Sequence, residues 1–276
     1  MTWNEADPVD LPSPPLANRL IGFARMVLVI LVTLIMLVPF LLGRVLRKMG
    51  DRWLRLDVLA DRIWARIGVW LLGLKLEVRG RPIESGALVA NHSSWSDIPV
   101  LRAVRWIYFV SKADVARWPG VGFLASAAGT IFIERRRVEA KRQEEILRQR
   151  IAANQLLCFF PEGTSTDGLR VLPFKSSLFS VFFGPDVDPA IWVQPVSIRY
   201  LTAPGSALPE SFFGWWGTMP FGGHMRTVMQ FSFGSRVVVT FHEPVHPSDF
   251  SDRKALSDHS QAAVAEGHAA AASSGG

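Results

Sequence analysis

Residues 26–43 form an apolar run broken only by Thr33 and Pro39. At about 1.5 Å per helical residue, such a run nearly matches a hydrocarbon layer about 30 Å thick. It predicts a membrane helix, so the rest of the chain must fold beside a bilayer. A cleaved signal peptide would need a shorter apolar core and a small-residue cleavage site, and neither is evident. Arg44, Arg47, Lys48, Arg52 and Arg55 follow the run, whereas the segment before it is acidic. Positive-inside bias then puts the body of the chain on the cytoplasmic face, with the inner membrane as the expected location.

Residues 1–18 carry Pro8, Pro12, Pro14 and Pro15 and read as a disordered leader. A second apolar stretch, residues 63–74, contains Arg66 and is too short to span. It suits either an interfacial segment anchored by Trp64 and Trp70 or a core helix. Residues 19–74 are therefore expected to be a membrane-anchoring helical region. A net charge of +6 and a pI near 10 suit nucleic acid, an anionic membrane or an acidic carrier protein. Ten tryptophans beside that basic balance favour the membrane, since aromatic and basic residues together mark headgroup interfaces. No nucleic-acid partner is expected. The single cysteine, Cys158, excludes an intramolecular disulfide and fits a reducing compartment.

Beyond residue 75 the pattern changes. Residues 76–78 alternate apolar with charged and predict an edge strand; 87–90, 107–110, 129–134 and 156–160 predict further strands, with two more at 192–198 and 237–242. Residues 134–150 are highly charged, with apolar Val138, Ile146, Leu147 and Ile151 near helical spacing, and predict a surface helix. Strands alternating with helices imply one α/β domain over residues 75–250, with a mixed, largely buried sheet flanked by helices and preceded by the membrane helix. Residues 251–276, ending in Ala, Ser and Gly, read as a flexible tail.

The polar turn after the second predicted strand is Asn91-His92-Ser93-Ser94-Trp95-Ser96-Asp97. His92 carries an imidazole, a side chain that can accept a proton in general-base chemistry. If the turn opens a helix, Asp97 lies little more than one turn away and can hold one ring nitrogen, leaving the other for a substrate hydroxyl. Taken alone, these residues favour the plainer reading, a loop histidine beside an N-capping aspartate. His242-Glu243-Pro244-Val245-His246 spells H-E-x-x-H, but that zinc motif works only on a helix. The β-branched run 237–240 and Pro244 and Pro247 oppose one, so no metal is expected.

Four blocks in order, NHSSWSD at 91–97, GTIFIER at 129–135, FPEGTST at 160–166 and VQPVSI at 193–198, resemble those of the glycerolipid acyltransferase family, that of the bacterial 1-acylglycerol-3-phosphate acyltransferases. The resemblance covers roughly residues 75–245. It implies that His92 is the general base for an acceptor hydroxyl and that Asp97 orients it. The donor would be an acyl carrier protein or coenzyme A thioester, the acceptor a lysolipid, with no cofactor. No acyl-enzyme is expected, because no G-x-S-x-G elbow is present. Asn91, Arg135, Glu162, Gly163, Thr164 and Lys175 are the implied substrate-binding residues. Arg135 would meet an anionic head group and Glu162 the acceptor, while backbone N–H groups near Gly163 and Thr164 would bind acceptor or oxyanion. Pro195 reads as support for the sheet.

One position departs from the pattern. Lysophosphatidate enzymes commonly read FPEGTRS, but Ser165 stands here where that arginine would meet a phosphate. The stretch DGLRVLPFKSSLF, residues 167–179, is similar to the branch that acylates lyso-ornithine lipid, whose head group is an amino acid. Arg170 and Lys175 remain possible cations for the head group. The basic stretch with Arg135, Arg136, Arg137, Lys141 and Arg142 is either a docking face for an acidic donor or a solvated face. The rival chemistry is a thioesterase-like hydrolase, with His92 activating water and no lipid acceptor.

Overall fold

The computed structural model describes residues 3–7, 11–50, 53–134, 140–184, 187 and 191–273. Its centre is a sheet of seven strands: β1 (Leu74–Arg79), β2 (Gly86–Ala90), β3 (Tyr108–Lys112), β4 (Ile131–Ile133), β5 (Leu156–Phe159), β6 (Val193–Leu201) and β7 (Ser235–Phe241), in the order β1-β7-β6-β2-β5-β3-β4. Every pairing is parallel except β6 with β7. The sheet is thus mixed, as expected, and β1 is an edge strand. β2 and β5 are buried throughout, which is why they read as continuous apolar runs rather than alternating ones.

Seven α-helices surround the sheet among the described residues: α1 (Leu16–Lys48), α2 (Leu56–Leu71), α3 (Asp97–Val104), α4 (Val121–Ala127), α5 (Ala140–Ala152), α6 (Phe221–Phe231) and α7 (Arg253–Ser273). Both faces are covered. One core cluster gathers Ala65, Val69, Val100, Leu101, Val228 and Met229 from α2, α3 and α6. The other gathers Leu147, Ile151, Phe179, Leu256 and Val264 against the opposite face.

The apolar run lies inside α1, the helix long and apolar enough to cross a membrane. Leu20, Phe23, Ile30, Leu34 and Val38 are exposed along it. Both of its ends are fastened to the domain. Near the start, Asn18 Nδ2 donates to the Gln230 carbonyl and Arg25 Nη1 to that of Met229, each at 3.0 Å, and Gly22 packs on Gln230. Near the end, Gly43 lies against the backbone of Leu56 and Asp57, and Arg47 pairs with buried Asp57 at 2.5 Å. α2 runs back beside α1, with Trp64 Nε1 bonded to Thr33 Oγ1 at 2.9 Å, and Asp61 pairs with Arg102 of α3 at 2.5 Å. The second apolar stretch is therefore a helix packed between α1 and the core: Ala65 and Val69 are buried, while Trp70 is 72% exposed.

Two expectations about the ends of the chain are corrected. The leader is not detached: Trp3 is buried, and α1 begins at Leu16 rather than at residue 19. Nor is the segment after residue 250 a flexible tail. It forms α7, capped where Asp252 Oδ1 accepts the N–H groups of Lys254 and Ala255 at 2.7 and 2.9 Å. Its alanines are strong helix formers, and Gly267 allows close approach to His242 and Ser197. The H-E-x-x-H letters follow strand β7, and Val245 bridges Val193 in extended conformation.

Candidate active site

In a sheet built on parallel strands, the carboxyl ends of the strands gather the functional loops. Here β2 ends at Ala90 and runs directly into NHSSWSD, while its neighbour β5 ends at Phe159 and runs into FPEGTST. The two motifs therefore meet side by side. The first chain turn leads into α3, whose first residue is Asp97.

That turn is organised by a buried carboxylate. Asp97 Oδ2 accepts the backbone N–H groups of Ser93 at 2.9 Å and Ser94 at 3.0 Å, and lies 2.7 Å from His92 Nδ1. Its other oxygen accepts the Tyr200 hydroxyl at 2.7 Å, and Tyr200 in turn accepts Ser96 Oγ at 2.9 Å. With Asp97 fully buried and His92 partly exposed, the acid is fixed and the ring meets the open site. Since a carboxylate only accepts, Nδ1 carries the proton and Nε2 is left as a base. The imidazole also stacks on Phe160, centroids 4.2 Å apart, and Phe160 stacks on Phe109. A ring held by both an edge contact and a face contact has little freedom to turn.

Glu162 joins the motifs from beneath. Its carboxylate accepts the His92 N–H at 2.8 Å and the Leu172 N–H at 3.3 Å, and Thr166 N donates to the His92 carbonyl at 3.1 Å. Burial pushes the Glu162 carboxyl up to about 8, against the pull of those two backbone donors. The expectation that Glu162 touches the acceptor is not met, because its side chain sits inside the protein. Asn91 is corrected likewise. It is fully buried, donating from Nδ2 to the Ile198 carbonyl at 2.9 Å and accepting the Ile198 N–H at Oδ1 at 2.8 Å. This amide extends the sheet ladder and ties the motif to β6. Pro195 lies in β6 opposite Val89 and supports the sheet.

Two cavities meet at His92 and share Phe160, Trp118 and Trp215. One, of about 820 Å³, is the more polar of the two: Gly163, Thr164, Ser165, Lys112, Lys175 and Glu144 line it beside apolar Ile133, Leu147, Leu178 and Val181. The other, of about 570 Å³, is an apolar groove walled by Val29, Thr33, Leu37 and Phe40 of α1 with Trp64 and Gly68 of α2. Of the expected binding residues, Gly163, Thr164 and Lys175 therefore do reach the cavity. Gly163, at φ +71°, spends its N–H on the Phe160 carbonyl at 3.0 Å, so it is not an oxyanion donor in this geometry. Arg170 pairs with Asp167 at 2.9 Å and lies over the Trp3 ring, away from the cavity lining, whereas Lys175 and Lys112 both line the cavity. Arg135, with Arg136 and Arg137, lies outside the described residues.

Sequence reasoning missed Tyr200, Lys112 and the groove residues of α1. Strand periodicity places Tyr200 on the same face as Ile198, but only the folded chain brings it to Asp97.

The family model described as Acyltransferase matches residues 75–199. The lyso-ornithine lipid O-acyltransferase of Rhodobacter capsulatus is 49% identical over 203 residues, 73% of this chain and 73% of that protein. The enzyme of the same name from Brucella abortus is 34% identical over 250 residues, 86% of this chain and 91% of its own. The crystal structure of the 1-acyl-sn-glycerophosphate acyltransferase PlsC from Thermotoga maritima is similar with a TM-score of 0.58 at 23% identity, over 88% of this chain and 96% of that one, so the fold is shared.

Proposed function

This chain belongs to the glycerolipid acyltransferase family, and from that membership we propose that it moves a fatty acyl group from an acyl thioester to the free hydroxyl of lyso-ornithine lipid, with His92 as general base. The observation that carries the reading is the His92–Asp97 pair at the junction of a polar cavity and an apolar groove. Nε2 takes the proton from the acceptor hydroxyl as its oxygen attacks the thioester carbonyl. The tetrahedral intermediate then collapses: the C–O ester bond remains, the C–S bond breaks, and the departing thiolate collects the proton from the imidazolium. Asp97 stabilises that imidazolium. General-base help of this kind contributes roughly 10²- to 10⁴-fold, the rest coming from alignment of hydroxyl and carbonyl.

The groove suits an acyl chain because its walls are aliphatic and aromatic and it ends at the base. The polar cavity suits the head group. With Ser165 in its lining instead of a basic residue, and with Lys112, Lys175, Glu134 and Glu144 all in that lining, the cavity carries both signs of charge. That pattern complements an amino-acid head group with one carboxylate and one ammonium better than a phosphate. Acyl carrier protein or coenzyme A would carry the donor thioester. The membrane reading rests on α1 and its exposed apolar face. Because both ends of α1 bind the same body and α2 returns beside it, the helical pair enters and leaves one leaflet, with Arg44 and Lys48 towards the cytoplasmic face of the inner membrane.

The test is an acceptor panel. Purified full-length protein is incubated with an acyl-carrier-protein or coenzyme A thioester and with lyso-ornithine lipid, lysophosphatidate or no acceptor, and lipid products are read by mass spectrometry. Diacylated ornithine lipid as the main product is expected. Product from lysophosphatidate alone would overturn the acceptor assignment, and thioester loss that needs no acceptor would establish the hydrolase instead.

A further inference from the structure

Residues 3–6 cross between two loops that wall the head-group cavity. Trp3 donates its backbone N–H to Thr164 Oγ1 at 3.2 Å, on the third-motif loop. Its carbonyl accepts the Gly217 N–H at 3.0 Å, on the opposite loop. Ala6 adds a third tie, its carbonyl accepting Trp216 Nε1 at 3.1 Å. Thr164, Trp216 and Gly217 all line the cavity that ends at His92.

The side chain of Trp3 fixes this crossing. Its ring is buried edge-on against Trp216, centroids 6.2 Å apart, and Arg170 lies over it at 5.2 Å, reaching in from the loop that follows the third motif. Gly217, at φ +61°, turns tightly beneath the strap, where Asn4 Oδ1 occupies the space a side chain would need. Among the described residues the strap hydrogen-bonds to both loops, which also meet where Gly214 packs on the backbone of Asp167.

We propose that residues 3–6 are a strap that sets the width of the head-group cavity, with Trp3 as a positioning residue for the lysolipid acceptor. The proposal rests on the acceptor occupying the polar cavity, as argued above. Trp3 touches no reacting atom; it acts through Thr164 and Gly217. Releasing it should let the walls move relative to His92 and weaken acceptor binding, without changing the base or the apolar groove.

The test compares full-length wild-type protein with Trp3→Ala and Trp3→Phe in steady-state acylation of lyso-ornithine lipid. Trp3→Ala should raise the acceptor KM about tenfold, leaving the thioester KM and kcat within about twofold, since a loosened cavity wall loses head-group contacts made equally in the ground and transition states. Trp3→Phe should restore wild-type behaviour: it keeps an aromatic edge against Trp216, and the indole N–H it removes is buried without a partner. A chain lacking residues 1–7 is the second variant, free of any cavity left by truncating the indole, and should show the same split. An unchanged acceptor KM in both variants overturns the strap, as does a joint change in all constants that tracks a lower melting temperature. Loss of all transfer in the wild-type protein would instead defeat the functional reading beneath it.

Discussion

Asp97→Asn keeps the shape of the side chain and removes its charge. Three donors converge on Oδ2, from His92, Ser93 and Ser94, so the asparagine must turn its oxygen to them and its NH₂ to Tyr200. Tyr200 then has to accept from both the amide and Ser96, and its own hydroxyl hydrogen is left buried without a partner, costing about 1–3 kcal/mol of stability. The catalytic loss is separate. A carboxylate about 4 Å from an imidazolium is worth about 4 kcal/mol at an effective dielectric of about 20, or about 10³-fold in rate. Because the His92 side chain keeps 20% exposure, water screens part of this, and the expected fall in kcat is about 10²- to 10³-fold. Both KM values should stay within a few-fold, since Asp97 lies under the ring and lines neither cavity. The assay follows thiol release from the acyl thioester with lysolipid present, alongside a thermal melt of the same sample. A variant that melts a few degrees lower but turns over within tenfold of wild type would refute the role given to Asp97.

Further outcomes follow from neighbouring contacts. Tyr200→Phe removes the donor to Asp97 Oδ1 and strands Ser96 Oγ, so stability should drop by about 1–2 kcal/mol in a denaturant titration, with kcat reduced less than tenfold. Glu162 is raised from 4.5 to about 8 by burial, so protonation favours the folded state: its contribution is present in full below pH 4.5 and is lost as pH rises through about 8. Glu162→Gln should accordingly flatten the fall in melting temperature between pH 6 and about 8.5; an unchanged slope would assign that fall to other groups. Gly68 lines the groove with open space where a Cβ would stand. Gly68→Phe should cut transfer of long acyl chains more than short ones, and equal losses across a chain-length series would remove the groove from the acyl path.

Some of this was legible in the chain itself and some was not. Parallel strands buried on both faces show as unbroken apolar runs, which is why residues 87–90 and 156–160 pointed to β2 and β5 within a residue. His92 and Asp97 were legible because their partnership is local, within one turn. Roles settled by tertiary contact were not. Asn91 and Glu162 are polar residues in a motif, and their letters are the same whether they face a ligand or, as here, a backbone N–H from a distant segment. The ends of the chain misled for a compositional reason. Proline-rich and alanine-rich segments resemble linkers, yet Trp3 has Trp216 to pack against and α7 has glycine where it meets the sheet. Composition records what a segment is made of, while burial depends on what awaits it.

Whether an imidazole deprotonates the acceptor hydroxyl is read from single-turnover acyl transfer to lyso-ornithine lipid by wild-type protein and His92→Ala across pH. The wild-type rate should rise with pH through the titration of one group, and the His92→Ala rate should be lower by at least about 10²-fold with no such rise. Equal transfer by the two proteins, or the same pH dependence in both, would contradict that role for the imidazole.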